Sequence, residues 1–343
     1  MKKNKTTTLQ SLAKQLNIHV STVSRVLRGD AETAAKAASQ STIERIRSLA
    51  AQYNYVPNPH AISLRTRKSH LIGVSVPSLS DYVWATIYEG IEETALKKDY
   101  FAYVTTSYDK PDIQRKQLAL AHARRVDGLI VGDAHVTAGS EAFLRDIAVP
   151  FVLVLRHVAD FVSVTCDDME GGRQAAEHLF GRGHRDVAVL GGSAITSTGR
   201  ERTAGFTDFY REAGCPIPPE RVLFSHFDTQ AGRDSAGELI AAFPTLTAIY
   251  AVNDFAAIGA MGALRVAGHT PGVSMALVGY NDTALAAELP IPLTTVRNPL
   301  RELGESAMEL LLCVMRGEKC RSVVLKPELI VRESSGFSAR ALP

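Results

Sequence analysis

From Leu71 onward the chain alternates short apolar runs with amphipathic helical stretches, and that alternation restricts the fold more than any other feature. The runs are LIGVSV at 71–76, FAYVTT at 101–106, GLIVG at 128–132 and FVLVL at 151–155. A second series follows with VAVLG at 187–191, RVLFS at 221–225, AIYAV at 248–252 and MALVG at 275–279. Helical spacing predicts helices over 85–98, 112–125, 170–181, 200–213, 230–242, 254–267 and 301–315. Near-continuous apolar strands separated by helices belong to parallel sheets covered on both faces. Two such series predict two α/β lobes with parallel sheets, about 70–166 plus 297–322 and 167–296 plus 323–340. Segments that cross between lobes make a natural hinge.

Ligands of open parallel sheets sit beyond the carboxyl ends of the strands. The polar residues at those ends are Asp133, Arg156, Asn253 and Asn281, and Arg200 and Arg202 open the helix after VAVLGG. Each alone has a plain structural use, as a helix cap or a surface ion partner. Together they are candidate lining of one cleft.

The first seventy residues differ in character. They hold twelve Lys or Arg against three acids, a net +9; the whole chain is +2, so the rest carries −7. A basic head on an acidic body suits a polyanion partner. Within it, TLQSLAKQLNIHVSTVSRVL at 8–27 reads as two short helices joined by a tight turn. Thr8 caps the first. Val23, Val26 and Leu27 turn inward on the second, whose other face carries Val20, Ser21, Thr22 and Arg25. This is a helix-turn-helix, a small all-α DNA-binding domain over 1–57 whose second helix enters the major groove of double-stranded DNA. A third helix is expected over 42–53, with Ile43, Ile46, Leu49 and Ala50 inward.

These motifs, with YNYVPN at 53–58 and AISLR at 61–65 before LIGV, resemble the lactose-repressor family of bacterial transcription regulators. In the body, GRERTAGF at 199–206, YAVNDFAAIGA at 250–260, VGYND at 278–282, PLTTVRNP at 292–299 and LKPELIVRESSG at 325–336 resemble the effector core shared with periplasmic sugar-binding proteins. The resemblance implies a hinge helix and linker over 58–69, with Asn58, Ala61 and Leu64 at the DNA and Leu64 as a wedge in the minor groove. It implies an effector-binding and dimerisation body over 70–340, periplasmic-binding-protein-like in fold. In that body Arg202 and Asn253 contact the effector and Trp84 supplies an aromatic face. It implies a homodimer acting, as a repressor, on a pseudo-palindromic operator under control of a sugar, sugar acid or sugar phosphate.

Three departures matter. The stretch from Arg28 to Ser41 is longer than the family's loop there; it is Ala-rich and could extend a helix, but a surface loop is the favoured expectation. Leu155 and Asn281 stand where the family often has aspartates. Keeping Arg156 and Arg202 without those acids suggests an electropositive site and an acidic effector, with Arg202→Ala expected to leave folding intact.

Other classes are set aside on the residues. A transport-linked solute-binding protein shares the body but calls for a signal peptide and no basic head; MKKNKTTT is followed by no apolar stretch, so a cytoplasmic location is expected. No run of eighteen apolar residues suggests a membrane span. Cys166, Cys215, Cys313 and Cys320 form no C-x-x-C pair, and no metal or cofactor is expected. Neither a Ser/His/Asp arrangement nor a G-x-S-x-G elbow exists, so no enzyme is expected. GRGHR at 181–185 follows a helix rather than a strand, the wrong order for a phosphate loop, and His184 is assigned to structure.

Overall fold

The computed structural model describes residues 7–28, 31–55 and 68–336. The chain divides into two units, residues 1–69 and 70–343.

The first unit is helical: α1 (Leu9–Leu16), α2 (Val20–Arg28), α3 (Ala31–Ala37) and α4 (Gln40–Gln52). Thr8 starts α1 by accepting from the Ser11 amide at 3.2 Å, while Ser11 Oγ accepts from the Thr8 amide at 2.9 Å. That reciprocal cap satisfies two otherwise orphan donors. Asn17 ends α1 in the left-handed region at φ 55°, which an asparagine tolerates, and so makes the tight turn possible. Leu12, Ala13, Val23, Val26, Ile43, Ile46 and Ala50 form the core. Within the stretch expected to be a surface loop, Ala31–Ala37 is instead the short helix α3, and Ala34 is buried in that same core. Its alanines give it helical propensity and a small apolar face to bury.

The second unit holds two six-stranded sheets. The first contains β1 (Leu71–Val76), β2 (Phe101–Thr106), β3 (Gly128–Val131), β4 (Phe151–Val154), β5 (Ser163–Cys166) and β11 (Val323–Leu325), in the order β11-β5-β4-β3-β1-β2 and all parallel. The second contains β6 (Val187–Gly192), β7 (Val222–Phe224), β8 (Ala248–Ala251), β9 (Ala276–Asn281), β10 (Thr294–Arg297) and β12 (Glu328–Ile330), in the order β12-β10-β9-β8-β6-β7. Only β12 runs antiparallel, against β10. Two boundaries therefore move. Arg297 ends a strand of the second sheet, and β11 belongs to the first sheet, so the last crossing falls after Leu325 rather than at 322.

Helices cover both faces of each sheet. In the first lobe α5 (Tyr82–Lys97) and α13 (Leu300–Met315) lie on one face, with α6 (Pro111–Ala123) and α7 (Ser140–Arg145) on the other. In the second, α8 (Asp168–Gly181) and α9 (Ser197–Glu212) lie opposite α10 (Thr229–Ala242), α11 (Asp254–Val266) and α12 (Ala284–Glu288). One close approach bears on the site. A Cβ on Gly172 of α8 would meet the Arg202 carbonyl of α9 at 2.2 Å, so only glycine lets the two helices cross there.

Candidate functional site: an inter-lobe cleft and a helix-turn-helix face

The sequences after β1, β2 and β4 face those after β6, β7 and β8 across a cavity of about 360 Å³. Trp84, Asp81, Asp109 and Arg156 line it from the first lobe, and Phe227, Asp228 and Phe255 from the second. A smaller inner chamber of about 30 Å³ is lined by Trp84, Leu155, Arg156, Arg202, Asn253 and Asn281. Five of the expected effector residues therefore meet.

Each is held differently. Arg202 is buried; its Nε donates to Asp168 Oδ1 at 2.7 Å, and Nη1 donates to the Val252 carbonyl at 3.0 Å. Its guanidinium carbon lies 3.8 Å from the centre of the Tyr280 ring. Nη2 is buried and finds no acceptor among the described residues. That leaves a donor for an oxygen-bearing ligand in the chamber. Asn253 caps α11: Oδ1 accepts from the Ala256 amide at 2.9 Å and Nδ2 donates to the Phe227 carbonyl at 2.7 Å. Asn281 ends β9 at φ 107°, and its Oδ1 accepts from Asn298 Nδ2 at 3.4 Å. Trp84 is 4% exposed, with the Arg156 guanidinium 5.7 Å from its ring centre.

Two expected residues do not join the site. Asp133 is fully buried, accepting from Ser75 Oγ at 2.7 Å and from Gln114 Nε2 at 2.7 Å within the first lobe. Arg200 donates through Nε to the Ala194 carbonyl at 2.6 Å and is exposed, on the outside of α9. Residues that sequence reasoning did not assign to the site also line the cavities, among them Asp81, Asp109, Phe227, Asp228 and Phe255. Asp81 carried a signal, since it caps α5 through the Val83 amide at 3.0 Å. Asp109 also carried one, three residues beyond the end of β2.

The electropositive site expected from the sequence is not present. Both arginines are paired, Arg202 with Asp168 and Arg156 with Asp109, whose oxygens accept from Nη1 at 2.7 Å and Nη2 at 3.3 Å. Asp81 and Asp228 add two more carboxyls to the outer wall. Burial raises the Asp81 carboxyl, offset in part by the Val83 amide and by the charges of Arg156 and Arg202. The missing aspartates at 155 and 281 are balanced by acids whose pairing only the fold reveals.

On the helical unit, Val20, Ser21 and Arg25 are exposed and Thr22 is partly so, while Val23 and Val26 are buried. His19 Nδ1 lies 2.7 Å from Ser21 Oγ at the start of α2. Thr8 is exposed but its hydroxyl is engaged in the α1 cap. Asn58, Ala61 and Leu64 lie outside the described residues. His184 is fully buried beside Thr247 Oγ1 at 3.0 Å, in keeping with a structural residue.

A helix-turn-helix unit joined to a two-lobed body with a polar cleft between its sheets is the build of an effector-controlled transcription regulator. The comparisons with known proteins agree. Residues 69–332 match the periplasmic binding proteins and sugar-binding domain of the LacI family, and residues 8–58 match the bacterial regulatory proteins of the lacI family. The chain is 29% identical to the transcriptional regulator DegA of Bacillus subtilis, covering 96% of this chain and 98% of that one. It is 29% identical to the ribose operon repressor of Haemophilus influenzae, covering 95% and 98%. The lac repressor dimer bound to operator and the anti-inducer ONPF superposes with a TM-score of 0.84 at 27% identity, over 96% of this chain and 99% of that one. The chain belongs to the LacI family: it is a DNA-binding transcription regulator under the control of a small-molecule effector, and not an enzyme or a transport-linked binding protein. Among the described residues, no helix is long and apolar enough to cross a membrane.

Proposed function

We propose that this protein is a cytoplasmic homodimeric repressor that releases or grips a pseudo-palindromic operator according to whether a neutral sugar fills the inter-lobe cleft. The observation that carries the effector class is the pairing of both cleft arginines with carboxylates, which leaves no unbalanced positive charge for an acid or a phosphate. A polyol needs donors and acceptors side by side, and the Arg202 Nη2, Asn281 and the Asp109–Arg156 pair supply both. The dimer rests on the likeness to the lac repressor dimer. In this reading Val20, Ser21, Thr22 and Arg25 face the major groove, with Thr8 at the backbone, and Asn58, Ala61 and Leu64 form the hinge contact. Closure of the lobes on the sugar biases the paired hinges.

Selection of binding sites from random duplex DNA with the full chain tests this. The expected product is a two-fold related sequence occupied by two chains, whose affinity shifts when a neutral sugar is added. Arg25→Ala should lose about 1–3 kcal/mol of discrimination at one base pair. Leu64→Ala should weaken operator binding and reduce bending. Recovery of only asymmetric sites, or one chain per site, would sink the dimeric reading.

A further inference from the structure

Arg156 follows β4 and projects over Trp84, buried to within 3% of its surface. A guanidinium in such a place ordinarily marks an anion site. Here Asp109 comes from the loop after β2, three strands away in the sheet order, and meets it with both oxygens. His135, from the loop after β3, approaches Asp109 Oδ1 at 2.9 Å. The loop carries a conformational cost to do this: Tyr108 and Asp109 are consecutive non-glycine residues in the left-handed region, at φ 55° and 53°. Backbone held in that region is found where the surroundings impose it. Burial works to raise the Asp109 carboxyl, but the His135 hydrogen bond and the charge and hydrogen bonds of Arg156 outweigh it and hold it well below the usual range. The carboxylate is still 32% exposed and lines the outer chamber. Three donors occupy it, and an ionised carboxylate has about four lone-pair sites, so it can accept one more hydrogen bond. Arg156 spends two of its five N–H groups on Asp109.

We infer that Asp109 is the specificity-determining residue of the cleft: paired with Arg156, it reads adjacent hydroxyls of a neutral sugar and turns away sugar acids and sugar phosphates. This rests on the sugar reading above and adds which residue sets the class. The carboxylate accepts from one hydroxyl while the guanidinium donates to its neighbour, a two-point contact that a diol fits. A carboxylate or phosphate ligand would meet Arg156 only by displacing Asp109 and would face its charge. The strand-end position Leu155 is apolar and buried, so the carboxylate is brought from the loop after β2 instead.

The test uses the full-length protein and a panel of D-glucose, D-galactose, D-ribose, D-glucuronate, D-galacturonate and glucose 6-phosphate, each measured by titration calorimetry and thermal shift against wild type, Asp109→Asn and Asp109→Ala. Wild type should bind at least one neutral sugar and prefer it to its acid. Asp109→Asn should weaken that sugar about tenfold or more and strengthen the matching acid, because Arg156 is then unbalanced. Ligand-free melting and operator binding of the variants show that the fold survives. A residue that only shaped the loop would weaken all ligands alike, and a parallel loss would overturn the inference. So would a wild type that prefers an acid, although the regulator would still be sugar-controlled. A wild type that no panel member stabilises, yet that binds operator, would remove the sugar reading and Asp109's role with it.

Discussion

The two lobes have the same plan and treat charge in opposite ways. Each is a six-stranded sheet with its first-entered strand inside and site residues beyond the strand ends. In the first lobe the charged pair, Asp109 with Arg156, sits on the cleft wall with its carboxylate 32% exposed. In the second, Arg202 and Asp168 are 3% and 2% exposed, and of the Arg202 nitrogens Nη2 alone finds no partner among the described residues. Of the second lobe's amides, Asn253 is spent on a helix cap and the Phe227 carbonyl, and Asn281 has its Oδ1 taken by Asn298. An exposed pair can exchange water for a ligand and so discriminate. A buried pair sets shape and offers one fixed donor. The first lobe is therefore built to choose and the second to anchor.

The sharpest way to break this comparison is to unpair the buried arginine. Arg202→Ala leaves the Asp168 carboxylate without its cation inside the lobe, and should cost about 3–5 kcal/mol of body stability. The sequence alone suggested a variant that folds normally and merely stops responding; the pairing with Asp168 changes that. Replacing both partners together, Arg202→Met with Asp168→Leu, should recover most of the stability while leaving the chamber without its donor. Denaturant unfolding of the three variants checks this. A stable single variant would mean that water reaches Asp168 and the pair is not an anchor.

A second contrast sets Asp109 against Asp254. Asp254 is fully buried, accepting from Thr283 N at 2.7 Å, Thr283 Oγ1 at 2.9 Å and Thr295 Oγ1 at 2.6 Å. No cation is among those partners, and burial raises its carboxyl to about 6 against these hydrogen bonds. A carboxyl raised on folding binds its proton more tightly in the folded state, so its contribution is full below the ordinary 3.8 and fades as pH rises through 6. Between pH 4 and 6.5 the wild type should lose stability relative to Asp254→Asn, by up to about 3 kcal/mol. The comparison must be between the two curves, because burial, aided by the charges of Arg182 and His184, lowers His178 to about 4 and tilts the total the other way. Parallel curves would show that Asp254 keeps its proton, or sheds it, throughout.

The positions of eight strands and the number of lobes were legible because buried parallel strands are apolar over their whole length. Strand β5 was not: Ser163 and Thr165 are buried but polar, and Ser163 is tied to Ser322 by its backbone amide at 3.1 Å, so no apolar run marks it. The three-residue strands β11 and β12 carry too little pattern to read. In the site, the rule of strand ends found Arg156, Arg202, Asn253 and Asn281, since their place follows from topology. It failed for Asp133, whose position is right but whose side chain turns into the lobe toward Gln114. It could not give the acids that neutralise the arginines, because Asp109 and Asp168 are 47 and 34 residues from their partners in sequence. Separation along the chain is what hid the charge balance and made an acidic effector look attractive.

The smallest expected effect lies where the lobes touch beside the cleft. His157, after β4, approaches Glu201 Oε1 of α9 at 2.5 Å, and its backbone amide donates to Ser197 Oγ at 3.1 Å. The hydrogen bond with Glu201 raises the His157 imidazolium above its ordinary 6.5, against burial and with help from the charges of Glu201 and Asp168. Asp160 and Asp167 line the same hollow. A histidine raised by its partner gives its full contribution below 6.5 and loses it as pH rises through the raised value. The ion pair should therefore favour the closed lobes at pH 6 and fade as pH rises from there into the alkaline range. His157 is 39% exposed and Glu201 29%, so solvent screens the pair and its worth is below about 1 kcal/mol. The affinity of whichever neutral sugar binds should fall no more than about fivefold across that range in the wild type and stay flat in His157→Gln. If the variant falls as the wild type does, the pH dependence belongs to the ligand chamber, and the contact between the lobes contributes shape alone.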